Sequence, residues 1–149
     1  MPTNNLNNFL ADRNDIITLF QKKGCTTCRA AQVLLLQNGA NYVTVNYHEK
    51  RMTRNEIWQL LDKLKMHPRD ILRKREPLYR ELRLDQKHLS DADLVTLMQE
   101  HPELIERPIA VRGEMAILAR PVDKLLTLIH KRAESRAGKH KPTTYALSL

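Results

Sequence analysis

The chain has 149 residues and a formal net charge of +8 at neutral pH, and 42% of its residues are hydrophobic. This length and this hydrophobic content are typical of a single domain with its own core. Only four glycines and seven prolines are present, which excludes a disordered or linker-rich chain. No run of about 18 apolar residues occurs, so the sequence predicts no transmembrane helix and no membrane partner.

The two ends of the chain differ in composition from its centre. Residues 1–15 are largely polar and lack the cationic start and apolar stretch of a secretory signal, so we interpret them as a flexible extension. Residues 131–149 form a basic tail, in which the segment up to Lys141 carries half of the net charge. Such a tail is usually solvated, but it could also contact nucleic acid or an acidic partner. We expect the domain itself to cover residues 16–130.

The first third of the chain predicts a strand, a helix and a second strand. Residues 16–20 form a short β-prone apolar run that is typical of a buried strand. From Thr26 the spacing of apolar residues favours a buried helix, which ends at Asn38–Gly39. Residues 42–47 alternate like a second strand. A unit of this kind predicts a parallel strand pair with a right-handed crossover.

The middle of the chain predicts a helical insertion. Thr53 is expected to cap a helix, with Glu56 completing a capping box, and the His67–Pro68 pair ends that helix. Ser90 is expected to begin another helix, which the His101–Pro102 pair ends.

The last part predicts a hairpin and a closing helix. Ile109–Val111 and Met115–Ala119 are two apolar runs with Gly113 in the turn between them, and Pro121 is expected to open the last helix. The sum is an α/β fold, in which a helical insertion separates a βαβ half from a C-terminal ββα half.

Cys25 and Cys28 form a C-x-x-C motif between the first predicted strand and its helix. A thiolate at that position faces free backbone N–H groups and the positive end of the helix dipole, which lower the thiol pKa, and Arg29 could add to the effect. Cys28 lies one helical turn further on, within range of a disulfide bond. We therefore interpret Cys25 as the nucleophile and Cys28 as the resolving cysteine of a redox-active pair.

Two other interpretations of the cysteines remain open. A structural zinc site needs four ligands, and the chain has no second cysteine pair, so His48 or His67 would have to complete it at no recognised spacing. Alternatively, the cysteines are incidental core residues. We predict no metal site and no bound cofactor, and we interpret the histidines, His48 included, as surface or helix-end residues without a catalytic role. A close cysteine pair without a secretory signal also predicts a cytoplasmic protein.

Four segments resemble the arsenate reductase and Spx family, and they occur in the family's order over roughly residues 16–130. They are Ile17–Arg29 with the cysteine pair, Ile71–Leu82, which is similar to the family's LLR…EPxxxxL segment, His101–Val111, which is similar to its HPxLIxRPIVV signature, and Leu118–Pro121, which matches its closing RP element.

The resemblance implies a thioredoxin-like mixed sheet flanked by helices, with a cis peptide bond before Pro108. For the glutaredoxin-linked arsenate reductases it also implies a nucleophilic Cys25 and three oxyanion-binding arginines, here Arg73, Arg107 and Arg120. A guanidinium group can donate two parallel hydrogen bonds to two oxygens of arsenate, and a helix N-terminus adds backbone donors. Cys28 or glutathione would resolve the adduct, and glutaredoxin or thioredoxin would restore the reduced protein.

The chain departs from the reductase pattern at two places. Residues 21–23 read Gln-Lys-Lys where these enzymes usually carry His-Asn-Pro, and Cys28 stands where they have serine or a similar residue. The activation of Cys25 must therefore come from the helix, Arg29 and the lysines of this loop.

Cys28 also supports a second function. The Cys25–Arg29 motif resembles the redox switch of Spx, a regulator that binds the RNA polymerase alpha subunit, and Arg75 falls near an arginine that Spx uses beside its switch. Against this interpretation, Arg120–Pro121 and Glu76–Pro77 follow the reductase pattern. A third possibility is a general thiol-disulfide oxidoreductase. We expect a monomer in each case.

Overall fold

The computed structural model describes residues 13–130. The predicted extension, except for residues 13–15, and the predicted basic tail lie outside the described residues. The strands are β1 (Ile17–Gln21), β2 (Tyr42–Asn46), β3 (Ile109–Arg112) and β4 (Met115–Leu118). The α-helices are α1 (Thr26–Gln37), α2 (Arg54–Leu64), α3 (Pro77–Glu81), α4 (Asp91–Glu100) and α5 (residues 125–130), and the 3-10 turns are Pro68–Ile71, Pro102–Leu104 and Val122–Lys124.

The four strands form one mixed sheet in the order β2-β1-β3-β4. β1 is parallel to β2 and antiparallel to β3, and β3 and β4 form an antiparallel hairpin. The parallel pair and the hairpin therefore confirm the sequence-based predictions, as does the helical insertion, because α2, α3 and α4 all lie between β2 and β3.

The hairpin turn places Gly113 at a φ of 59°, a conformation that glycine adopts without strain. Its amide donates a hydrogen bond to the carbonyl of Arg13 at 2.7 Å, and a Cβ atom at this position would collide with Oδ1 of Asn14. Arg112 also donates from Nε to the carbonyl of Asn14 at 2.9 Å. Residues 13 and 14 therefore pack against the hairpin turn.

The predicted helix caps of the insertion are present. Thr53 Oγ1 accepts from the Glu56 amide at 3.1 Å, and Glu56 Oε1 accepts from the Thr53 amide at 2.8 Å, which is the predicted capping box. Ser90 Oγ accepts from the Asp93 amide at 3.1 Å, and α4 ends directly before His101.

The prediction for Pro121 was wrong in one respect. Pro121 follows a cis peptide bond and has a ψ of 160°, so its backbone is extended and cannot form the first helical turn. A 3-10 turn over Val122–Lys124 comes next, and α5 begins only at residue 125.

The sheet carries an apolar cluster on each face. Successive side chains of a strand point to opposite faces, so Ile17 and Leu19 of β1 pack on one side and Phe20 on the other. The cluster around Ile17 and Leu19 includes residues of α1 and α5, and the cluster around Phe20 includes residues of α2 and α4. The sheet thus lies between two helical layers, which cover its faces but not its strand ends.

Candidate active site

Four chain segments meet at one end of the sheet because of the strand directions. β1 and β2 are parallel, so the loop before Cys25 and the segment from Tyr47 follow their strands at the same end. β3 runs in the opposite direction and β4 returns, so Arg107 precedes β3 and Arg120 follows β4 at that end as well. The topology therefore collects the cysteine motif and two of the three predicted arginines.

Cys25 is the N-cap residue of α1, and its Sγ accepts a hydrogen bond from the Cys28 amide at 3.3 Å. Partial burial raises the pKa of the Cys25 thiol, but hydrogen bonds from Cys28 and the interaction with the Arg107 guanidinium outweigh burial and lower that pKa below its usual range. Cys25 therefore ionises to the thiolate at a lower pH than an ordinary cysteine does.

Cys28 has the opposite character. Its side chain is buried, and both cysteines are free thiols. Burial, followed by the interaction with Cys25, raises the pKa of the Cys28 thiol to about 12. A buried thiol that keeps its proton is a poor nucleophile, so Cys25 is the more readily ionised thiol of the pair.

Arg107 brings an unusual set of donors to the site. The residue is only 6% exposed, and its Nε and Nη1 atoms are buried without a hydrogen-bond partner among residues 13–130. Its neighbours are the Cys25 thiol and Tyr47, whose hydroxyl donates to the Ile105 carbonyl at 2.8 Å. Buried cationic donors without partners are costly, so they indicate a position that an anion can occupy.

Arg73 and Arg120 meet at the carboxylate of Glu106, for which the sequence predicted no role. Oε1 of Glu106 lies 3.2 Å from Nη1 of Arg73, 3.3 Å from Nη2 of Arg75 and 3.6 Å from Nε of Arg120. Arg120 also donates from Nε to the Arg107 carbonyl at 2.7 Å. The three predicted arginines therefore form one connected group, with Arg75 at its exposed side. The only sequence signal for Glu106 was its position directly before Arg107.

A short backbone pairing explains why Arg73 reaches this group. Leu72 and Ile105 form an isolated antiparallel bridge, in which the Arg73 amide donates to the Leu104 carbonyl at 2.8 Å. The amide of Glu106 donates in turn to the Ile71 carbonyl at 2.8 Å.

Arg29 does not take the part that the sequence suggested. Its side chain is exposed, and the groups that lower the pKa of Cys25 are Cys28 and Arg107. Pro108 is buried, and the Arg107–Pro108 peptide bond is cis, as the resemblance implied.

His48 also differs from the prediction of a surface residue. Its ring centroid lies 4.8 Å from that of Tyr47, and its Nε2 atom is buried without a hydrogen-bond partner in the described part of the chain. Burial, followed by the charges of Lys22 and Arg107, lowers the pKa of His48 to about 4. His48 is therefore a neutral imidazole at physiological pH.

Within residues 13–130, no group of three or more His, Cys, Asp or Glu side chains is arranged to hold a metal ion. In the same part of the chain no helix has the length and apolar character that crossing a membrane requires.

Known proteins resemble the chain over most of its length. The ArsC family model matches residues 20–128. The arsenate reductase of Haemophilus influenzae is 31% identical over 114 residues, which cover 76% of this chain and 98% of that protein. The global transcriptional regulator Spx of Streptococcus pneumoniae is 30% identical over 96 residues, which cover 64% of this chain and 72% of that regulator.

Solved structures agree with the sequence comparison. The arsenate reductase from Vibrio cholerae has a TM-score of 0.73 and 32% identity, and the match covers 78% of this chain and 99% of that one. The putative arsenate reductase from Yersinia pestis has a TM-score of 0.70 and 31% identity over 74% of this chain and 98% of that one. The expected thioredoxin-like fold is thereby confirmed, and the chain belongs to the ArsC family.

Proposed function

We propose that this chain is a thiol-dependent reductase of arsenate, with Cys25 as the nucleophile and Arg73, Arg107 and Arg120 as the oxyanion-binding residues. One observation carries the proposal: a Cys25 thiol with a lowered pKa lies beside the Arg107 guanidinium, whose buried Nε and Nη1 atoms have no hydrogen-bond partner among the residues that the structure describes. A thiolate nucleophile next to unpaired cationic donors fits an anionic electrophile with several acceptor oxygens.

The chemistry requires two thiols. The Cys25 thiolate attacks arsenic and forms an S–As bond, and one arsenate oxygen leaves as water after protonation. A second thiol then attacks Sγ of Cys25, the electron pair of the S–As bond stays on arsenic, and arsenite leaves. Arsenic is reduced by two electrons, and the two thiols are oxidised to one disulfide.

The second thiol is glutathione or Cys28, and the burial of Cys28 favours glutathione. The Cys25 thiolate contributes to the raised pKa of Cys28, and that contribution disappears once Cys25 is bound to arsenic, but burial, the larger cause, remains. Cys28 can still act if a base takes its proton. Glutaredoxin or thioredoxin then restores the reduced protein.

The test is arsenite production by the purified protein, supplied either with glutathione and glutaredoxin or with thioredoxin and its reductase. We expect Cys25→Ser to abolish turnover and Arg107→Ala to reduce it by orders of magnitude. Arg29 is exposed, so Arg29→Ala is the matched control and should retain turnover. Loss of turnover in Cys28→Ser would identify Cys28 as the resolving thiol. Absence of turnover with both reductants would contradict the proposal.

A redox-switch regulator is the second candidate, and the C-x-x-C pair together with the similarity to Spx favours it. In that case Cys25 and Cys28 form a disulfide under mild oxidant, and the disulfide changes binding to the RNA polymerase alpha subunit. A pull-down with the alpha C-terminal domain, in oxidised and reduced protein, separates this candidate from the enzyme. A general thiol-disulfide oxidoreductase would instead reduce disulfides without arsenate turnover.

We propose that the protein acts in the cytoplasm. A glutathione-linked reaction and a free cysteine pair fit the cytoplasm, where thiols are kept reduced. The catalytic unit would be a monomer of residues 16–130, with residues 1–15 as an extension and residues 131–149 as a basic tail.

A further inference from the structure

Four buried nitrogen atoms in this region have no hydrogen-bond partner among residues 13–130. They are Nε of Arg73, Nε and Nη1 of Arg107, and Nε2 of His48. Nε of Arg73 lies 3.6 Å from Oε2 of Glu76, with which it forms an ion pair, whereas Nε and Nη1 of Arg107 and Nε2 of His48 are shielded from water without a partner in the same part of the chain. Such unpaired buried atoms are uncommon in folded proteins because they cost free energy. The unpaired atoms of Arg107 and His48 could be satisfied together by a bound group with several polar atoms.

His48 follows β2 at the end of the sheet where Arg107 precedes β3, and both residues carry buried nitrogen atoms without a hydrogen-bond partner among residues 13–130. The charges of Arg73 and Arg107 both reach its imidazole, as do Lys22 of the cysteine loop and Glu103 of the turn before β3. Two hydrogen bonds fix the segment that contains Tyr47 and His48. The His48 amide donates to Oδ1 of Asn46 at 3.2 Å, and the hydroxyl of the preceding residue, Tyr47, bonds to the Ile105 carbonyl.

The imidazole supplies something that the arginines lack. Guanidinium nitrogens only donate hydrogen bonds, whereas a neutral imidazole offers one donor and one acceptor. Near neutral pH a hydrogen arsenate or hydrogen phosphate ion carries a hydroxyl group beside its charged oxygens. The arginines can donate hydrogen bonds to the charged oxygens. An imidazole can both donate to the hydroxyl-bearing oxygen and accept a hydrogen bond from it.

We infer that His48 is a fourth oxyanion ligand of this site, and that its imidazole hydrogen-bonds the hydroxyl-bearing oxygen of a tetrahedral anion such as arsenate or phosphate. This inference rests on the proposed function, since it assigns a ligand to the same site. It also accounts for a histidine at a position where the sequence alone indicated only a surface residue.

The test measures how phosphate and arsenate protect Cys25 from iodoacetamide in the reduced full-length protein, without any reductant system. Phosphate is the unreactive probe of the site. We expect His48→Leu, which keeps the bulk but removes both polar atoms, to weaken protection by phosphate about tenfold, the effect of losing one hydrogen bond to an ion. His48→Gln, whose amide again offers a donor and an acceptor, should restore protection to within about threefold of wild type.

Three controls make the result specific. The exposed His88→Leu should leave protection unchanged. The alkylation rate without anion reports whether each variant keeps an intact cysteine site, and His48→Met replaces the leucine variant if that one fails to fold. With arsenate turnover, the loss in His48→Leu should appear mainly in KM rather than in kcat.

The outcomes separate the inference from the proposed function. Equal protection in wild type, His48→Leu and His48→Gln would overturn the role of His48 while leaving the reductase intact. Equal losses in the leucine and glutamine variants would indicate a packing role and would also overturn it. If neither anion protects wild-type Cys25 and no turnover occurs, the oxyanion site itself is refuted.

Discussion

Glu106 and Arg73 are joined by an ion pair in which Oε1 and Nη1 lie 3.2 Å apart, and only 14% of the Glu106 side chain is exposed. The same oxygen is shared with Arg75 and Arg120. One carboxylate thus holds three guanidinium groups whose mutual repulsion would otherwise separate them.

We expect Glu106→Gln to lower the free energy of unfolding by about 1–3 kcal/mol, because it leaves partly buried cations without their counter-charge. Urea unfolding at low ionic strength measures the change. Glu103→Gln, which removes the same negative charge from the turn before β3, is the matched control. It should lower the free energy of unfolding by less than about 0.5 kcal/mol. Equal effects of the two substitutions would contradict the role of Glu106.

The Cys25 pKa offers a second prediction. The pH dependence of alkylation should give a Cys25 pKa below that of an ordinary thiol, about 8.5. Arg107→Leu should raise this pKa because it removes both the charge and the donors beside Cys25, and Arg107→Lys should raise it less. Arg29→Leu, which changes an exposed cation of α1, should leave it nearly unchanged. A larger rise in Arg29→Leu than in Arg107→Leu would show that the wrong cation has been assigned.

Tyr47→Phe tests the hydrogen bond between the second strand and the Arg107 segment. The variant keeps the ring but removes the hydroxyl that donates to the buried Ile105 carbonyl at 2.8 Å. We expect the free energy of unfolding to fall by about 1–2 kcal/mol. Tyr42→Phe removes a longer, 3.4 Å contact with Gln32 and should cost less than about 0.5 kcal/mol. The prediction fails if the two variants are equally stable.

His48 predicts a pH dependence of stability. Burial and the charges of Lys22, Arg107 and Arg73, which outweigh the opposing charge of Glu103, lower its pKa from 6.5 to about 4. Between these values the unfolded chain binds a proton at His48 that the folded protein does not, so the folded protein loses stability as the pH falls from about 6.5 to about 4.

The measurement is urea unfolding of wild type and His48→Gln at several pH values in that window. Glutamine does not titrate, so the stability of His48→Gln should fall less steeply than that of wild type. Parallel slopes for the two proteins would show that His48 titrates normally in the folded state.

The sequence by itself determined the local features of this protein. The cap at Thr53, the turn at Gly113 and the place of Cys25 at a strand–helix junction depend on residues a few positions apart, so their patterns could be read directly. The resemblance to the family's motifs added Arg73, Arg107 and Arg120 as candidate ligands, because each of them stands at the matching position of a family motif.

Only the tertiary structure decided which of these groups meet and what else joins them. Glu106 reaches Arg73 because Leu72 pairs with Ile105 across more than thirty residues. The charge of Arg107 acts on His48 because β2 ends and β3 begins at the same side of the sheet. Arg29 lies next to the cysteines in sequence but is exposed, whereas Arg107 is distant in sequence and acts on Cys25. Local patterns describe short-range backbone preferences, but burial and charge at a site depend on long-range contacts, and these are absent from any short stretch of sequence.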